Sequence, residues 1–379
     1  MYSKINAQAI IDRVIYWRKI RVIVCTTDYA IIHPKMYQLC DFLLMEESGQ
    51  NKHLHALAMA SQMSIKTLFL VGDTEQIPPY RPFEMKRAPD YDHVSVAKFV
   101  QVVMPQATIK LRTAYRFHPT ICKLVSAAGY KNELVPGVEG YQRALLTGSN
   151  NFPLMKRGYP VMLIHLPGHA EKIMAHSLRN LPQCEMAIKA VECLAKVTKK
   201  ATVSICCYYV GDAKYLAERM QKTWGTMYEK NRKEQIATLR GLQVRTVHGF
   251  IGQETDISII VTGAEKGPGK ETDWLYAKEA GNVAISRGKQ GVIIIGNMDY
   301  IGSELAQSLG RFVRMSAEKC PIIDGEKFGE MIQRCTGNPL MWKSYVKSHQ
   351  GTQLLCEPQN PNPMSLIAAC ELNRNNNRF

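Results

Sequence analysis

The sequence predicts an α/β protein, with parallel sheets covered by helices and two domains. Short β-branched or apolar runs recur at Val22–Cys25, Phe42–Met45, Leu68–Val71, Val161–His165, Val203–Cys207, Ile257–Val261 and Val292–Ile295, each followed by a segment with helical spacing. The 379 residues, 46% of them hydrophobic, suffice for two ordinary cores, since domains most often run to about 100–200 residues. Polar residues also gather at the ends of these runs, where open α/β sheets take their ligands.

Taken in order, the first group of runs is interrupted by a proline-rich loop from Pro78 to Pro89, and a boundary falls near 105–110. Residues 1–110 and 111–315 then form the two domains. The second domain closes with the strand through Ile295 and a helix through about Met315. Residues 316–379 read as a helical extension followed, beyond Ser348, by a Gln-, Asn- and Pro-rich tail. Such a tail buries too little apolar surface to offset its ordering entropy, and mobility is expected there.

Lys and Arg number 48 against 33 Asp and Glu, a net charge of +15, which favours a polyanionic partner. Residues 196–245 carry eleven Lys/Arg and four Asp/Glu; they are either an electrostatic footprint or a solvated basic face. The eleven cysteines are odd in number and none sits in a C-x-x-C pair. With no apolar leader ahead of a small-residue cleavage site, this predicts a reduced intracellular compartment, cytoplasm or nucleus. Val292–Ile295 stops at Gly296-Asn297, far short of the roughly 20 residues that span a bilayer, so no membrane is expected as partner.

Several strings carry the chemistry. In LFLVGDTEQIPP (68–79) an apolar run delivers Gly72, Asp73 and Gln76 to a strand end. Phe42–Met45 delivers Glu46 and Glu47 to an equivalent place, where paired carboxylates can hold Mg²⁺ and orient a water toward a phosphate. Standing alone, the same pair is more often the solvated start of a helix, its charge suited to the macrodipole.

LRTAYRFHPTICKL (111–124) sets Tyr115 and Arg116 before a helix that can begin at Pro119, the favoured first helical position; the aromatic can stack on a base while the Arg reaches a phosphate. VRTVHGFIGQETDISII (244–260) contains a Gly-x-Glu turn, Gly252 to Glu254, leading into a strand. GNVAISRGKQGVIIIGN (281–297) offers Arg287 and Lys289 on a helix ahead of a buried strand, where an Arg can stabilise a transferring phosphoryl group.

In order and spacing these strings resemble the superfamily 1 helicases of the nonsense-mediated-decay and senataxin-like type, whose blocks read approximately D-E-[AS]-x-Q, G-D-x-x-Q-L-P-P, Q-Y-R-M-H-P, V-x-T-V-D-x-F-Q-G-x-E and N-V-A-L-T-R-A-[KR]. The match runs over about residues 20–315. It implies RecA-like sheets of the P-loop NTPase fold, one domain partial and the other complete, with ATP and Mg²⁺ as cofactors and single-stranded RNA or DNA as partner. It further implies that Glu46 holds Mg²⁺, Glu47 polarises the attacking water, Gln76 senses the γ-phosphate and Asp73 lines the nucleotide site. Tyr115 would stack on adenine, Arg116 and Arg287 would meet the γ-phosphate, and Glu254, beyond Gly252, would reach the ribose or phosphates. Thr26, Thr27 and Thr246 fall where the family touches the strand's sugar-phosphate backbone.

The sequence also departs from the pattern. No G-x-x-x-x-G-K-[ST] string occurs in it, and Ser64-Ile65-Lys66-Thr67 has no glycines ahead of it to cradle phosphates. Glu46 and His248 stand where the blocks have Asp, Ile251 where they have Gln, and Tyr208-Tyr209-Val210-Gly211-Asp212 where they have P-Y-x-x-Q. The expectation is a fragmentary or degenerate helicase that binds single strands and couples to ATP only if a phosphate loop is supplied. Its rival is a non-enzymatic nucleic-acid- or protein-binding module, and an incomplete gene model is a third reading. Outside these strings, His165, His169 and His176 suggest zinc only weakly, because Pro167-Gly168 breaks any helix that would align them. Cys206 and Cys207 should point to opposite faces of a strand.

Overall fold

A computed structural model describes residues 21–37, 40–80, 94–149, 152–174, 177–198, 201–230, 241–265, 275, 277–303 and 307–337. Its centre is a six-stranded parallel sheet made of β5 (Val161–His165), β8 (Val203–Cys207), β9 (Gln243–Thr246), β10 (Thr255–Val261), β11 (Gly288–Gly296) and β12 (Ile323–Asp324), in the spatial order β12-β5-β11-β10-β8-β9. β8, β10 and the apolar part of β11 read as continuous apolar runs because helices cover both faces, the arrangement parallel crossovers impose.

Successive side chains divide between the two faces. Leu163, Cys206, Ile260, Val292 and Ile294 join one core with helices α4 (Pro119–Gly129), α7 (Lys278–Ile285), α8 (Met298–Ile301) and α9 (Gln307–Ala317). Ile164, Cys207, Ile259, Ile293 and Ile295 join a second core with α5 (Leu181–Val197), α6 (Val210–Lys230) and α10 (Gly325–Gly337). Cys206 and Cys207 therefore lie in different cores, as strand alternation requires.

A smaller lobe precedes this body. There β1 (Phe42–Met45) pairs in parallel with β2 (Thr67–Leu70), and α1 (Thr27–Ile32), α2 (His53–Gln62) and α3 (Val96–Val103) pack beside them. Its own core holds only seven buried side chains among the described residues, Met45 and Met59 central to it. Phe42, Leu44 and Phe69 remain open to solvent. Two lesser strand pairs, β3 (Thr113–Ala114) with β4 (Val135–Pro136) and β6 (Ala170–Met174) with β7 (Ser177–Asn180), complete the strands among the described residues.

Four sequence expectations change. Residues 22–25 form no strand, β2 begins one residue early, and neither Arg287, in the turn after the helix that ends at Ile285, nor Lys289, in β11, lies on a helix. The edge strand β9 was hidden, since QVRT has too few apolar residues to stand out from a polar stretch. The helix expected at Pro119 begins there, with His118 as its N-cap accepting from Thr120 N at 3.1 Å. The loop at 81–89, residues 231–240 of the basic stretch, His176 and the tail beyond Ser348 lie outside the described residues.

Candidate functional site

The carboxylate turn follows β1 directly. Ser48 N donates to Val71 O at 2.9 Å, so the turn folds back over the end of β2, and a Cβ on Gly49 would lie 2.4 Å from Asp73 O. Gly49, and Gly72 whose Cβ would lie 2.7 Å from Gly49 N, are needed to let two strand ends touch, not to line a phosphate cradle. Glu47 itself adopts φ 49°, a left-handed conformation costing a non-glycine residue about 1 kcal/mol. Asn51 stabilises the turn, donating from Nδ2 to Glu47 O (3.3 Å) and accepting from Thr27 Oγ1 (2.9 Å). Thr27 is thus tied to the carboxylate turn, whereas Thr26 caps α1 by accepting from Tyr29 N at 3.3 Å.

The loop after β2 is docked on the larger body. Asp73 Oδ2 accepts from Gln76 Nε2 (2.8 Å) and Tyr130 Oη (2.6 Å), while Oδ1 accepts from Glu75 N (2.9 Å). Glu75 pairs with Lys278; burial pushes its carboxyl up, but the bond to and charge of Lys278 outweigh that and hold it below the usual range. Asn282 Nδ2 donates to Glu75 O at 2.6 Å, and Ile77 is buried in the larger body's core. Burial and the Asp73 charge keep the Tyr130 phenol protonated far above its ordinary range. Tyr130→Phe is expected to cost about 1–2 kcal/mol in urea unfolding, as a midpoint shift at unchanged slope. An unchanged midpoint would show that Asp73 finds another donor.

Across from this loop, Gly252 at φ 74° begins the Gly-x-Glu turn, and a Cβ there would lie 3.5 Å from Glu47 Oε1. Glu254 Oε2 accepts from Arg116 Nε at 2.7 Å, and Arg116 Nη1 donates to Ser286 O at 3.3 Å. Arg287 is 1% exposed. Its Nε donates to Val283 O, Nη1 to Phe250 O and Gln253 O, and Nη2 to Ser286 Oγ and Gln76 Oε1. Burial, and then the nearby Arg116 charge, lower its pKa to about 10. All five of its N–H groups are therefore spent on uncharged protein acceptors.

Tyr115 is 66% exposed, its ring set against Gly137, where a Cβ would come within 2.7 Å of it. Arg143 steadies this corner, donating to Arg116 O and Tyr115 O at 2.9 Å each.

The structure thus gathers Glu47, Asp73, Gln76, Gly252, Arg116, Glu254 and Arg287 at one cleft. Glu46 and Glu47 lie at the carboxyl end of a strand, as the general rule for α/β sheets has it. Glu254 and Arg287, however, immediately precede β10 and β11, at the amino-terminal edge of the larger sheet. Thr246 lies at the other edge. It pairs with Cys207, which pairs with Val261 at the end of β10, roughly 20 Å of strand from where β10 begins.

Asn51, Glu75, Tyr130, Lys278 and Asn282 were not assigned from sequence. Asn51 directly follows the segment Glu46–Gln50 that aligns with D-E-[AS]-x-Q, Glu75 lies within 68–79 and Asn282 within 281–297, so position flags them; Tyr130 and Lys278 carry no local signal. His169 pairs with Glu265 at 3.1 Å, and no cluster of three metal-ligating side chains occurs among the described residues. No described helix is long and apolar enough to cross a membrane.

Comparison with known proteins places the chain in a family. Residues 93–299, more than half of the chain, match the family described as AAA domain. The chain belongs to that family and to the superfamily 1 helicases of the nonsense-mediated-decay and senataxin type. A homolog of regulator of nonsense transcripts 1 from Neurospora crassa is 27% identical over 280 residues, covering 73% of this chain and 24% of its own length. The probable helicase senataxin of Homo sapiens is 20% identical, covering 78% of this chain and 10% of its own. This chain therefore spans about a quarter or less of these relatives. A solved arterivirus helicase in complex with DNA is 12% identical, covering 68% of this chain and 40% of that one at a TM-score of 0.32.

Proposed function

We propose that this chain is a helicase-derived module that binds single-stranded RNA or DNA and engages ATP weakly. The observation that carries this reading is the meeting, at one cleft, of the Glu46-Glu47 turn with Gly252, Arg116, Glu254 and Arg287. In this reading residues 1–110 hold a partial RecA-like domain and the body from residue 111, carried past 315 by β12 and α10, a complete one. Glu46 and Glu47 suit a Mg²⁺ ion that takes its remaining ligands from phosphate and water. When bound, the metal would neutralise developing charge on the phosphates.

The residues present fit the metal better than the triphosphate, because the glycines at the strand ends are filled by backbone contact rather than open to an anion. Arg116 would meet the anion and Glu254 would reach toward the ribose, with Tyr115 presenting an open ring to a base. Thr26, Thr27 and Thr246 would contact the strand backbone, assisted by the net charge of +15.

A labelled single-stranded oligonucleotide, RNA and DNA in turn, followed by anisotropy as salt is raised, tests the reading. Binding that weakens steeply with salt, on the order of a hundredfold or more from 50 to 200 mM, is expected. Absence of binding at low salt, or equal affinity for duplex, would reject it. The saturation of Arg287 by protein acceptors favours a second reading, a binding module indifferent to nucleotide. Strand affinity unchanged by ATP with Mg²⁺ is the result that reading requires.

A further inference from the structure

Building on the proposal that the cleft takes phosphate, we infer that Glu254 is the internal occupant of an anion site made by Arg116 and Lys289, and that a phosphate group enters only by displacing it. The Glu254 carboxylate offers one oxygen to each cation: Oε2 to Arg116 Nε at 2.7 Å and Oε1 to Lys289 Nζ at 3.6 Å. That is how one phosphate would bridge them.

Both cations keep their place without Glu254. Arg116 is anchored through Nη1 to Ser286 O at 3.3 Å, and its carbonyl accepts from Arg143 at 2.9 Å. Lys289 lies in β11 with a second carboxylate, Asp256, at 3.7 Å. Asp256 cannot follow Lys289 into the site, because its oxygens are committed to Thr202 N (2.8 Å), Thr202 Oγ1 (2.7 Å) and Gln290 Nε2 (2.8 Å). Glu254 has no such ties: among the described residues its carboxylate bonds only to the two cations.

Solvent access makes the exchange cheap. The three side chains are 33%, 43% and 27% exposed for Arg116, Glu254 and Lys289, so the pairs are well screened and their breakage costs little. A phosphate dianion brings more charge and more acceptor oxygens than the carboxylate it replaces. Glu254 therefore sets a threshold, keeping the cations neutralised until a phosphate is abundant.

The test is calorimetric titration of the full chain with inorganic phosphate at low ionic strength. Glu254→Gln keeps the side chain's size while removing its charge, and should tighten phosphate binding by roughly five- to tenfold. Adding Lys289→Met to that variant should abolish the gain. A Gln variant that binds phosphate no more tightly than the parent, or shows no saturable binding, overturns the inference, as does a gain that survives loss of Lys289. Matched melting curves establish that each variant is folded. Strand binding is read separately, so failure of the strand-binding proposal and failure of this inference leave different signatures.

Discussion

Arg287→Met is expected to lower the melting temperature of the chain by on the order of 10 °C, equivalent to about 3–5 kcal/mol. Val283 O, Phe250 O, Gln253 O, Ser286 Oγ and Gln76 Oε1 would each lose a donor, most of them where water cannot substitute. Arg287→Lys should recover only part of the loss, because three rotating N–H groups cannot serve five acceptors fixed around a planar fork. Thermal unfolding followed by circular dichroism decides this. Wild-type melting in the Met variant would mean that the guanidinium is dispensable to the fold and held for a ligand alone. The predicted result instead makes Arg287 a structural keystone joining the turn before β10, the end of α7 and the loop after β2.

The second large effect lies outside the cleft, at Asp212 near the start of α6. This carboxyl is fully buried; Oδ1 accepts from Asn180 N (2.8 Å) and Cys184 Sγ (3.3 Å), while Oδ2 has no hydrogen-bond partner among the described residues. Burial pushes its pKa up to about 7 from an ordinary 3.8, and the bonds to Oδ1 only partly resist. The native state therefore binds a proton that the unfolded chain releases above about pH 4. The contribution of Asp212 to stability is fully present below that value and is lost as pH rises to and through 7, by an amount on the order of 4 kcal/mol at full deprotonation. Asp212→Asn, which keeps an acceptor for Asn180, should flatten this slope and raise stability at pH 8. Urea unfolding from pH 5 to 8 measures it; identical slopes for the two proteins would refute the assignment.

Much of the larger body was legible in sequence because its physics is local. Val203–Cys207, Ile257–Val261 and Val292–Ile295 are apolar runs that only a sheet covered on both faces can bury, and Pro119 marks the start of α4. The strings around Asp73, Arg116, Glu254 and Arg287 likewise mark residues that do converge. What sequence could not tell was how they would be paired. Gln76 and Arg287 are 211 positions apart, and Tyr130 reaches Asp73 across 57; nothing in either neighbourhood encodes the partner. The run at Val22–Cys25 misled for the opposite reason. It has strand composition, but no sheet edge receives it, and Val22 and Val24 stay exposed.

The docking of the loop after β2 also bears on how the chain comes apart. Asp73, Glu75, Gln76 and Ile77 are covalently continuous with the small lobe but held by Tyr130, Lys278, Asn282, Arg287 and the larger core. With seven buried core side chains among the described residues, the small lobe is a shallower cooperative unit than the six-stranded body. When β1, β2 and α2 open in a sub-global fluctuation, the fracture line runs between Leu70 and Asp73 rather than along the domain boundary in the sequence. The carboxylates of the turn after β1 then leave with the shallow unit, while the loop that faced them stays folded on the deep one, so the cleft loses one wall before either unit loses its neighbour's imprint.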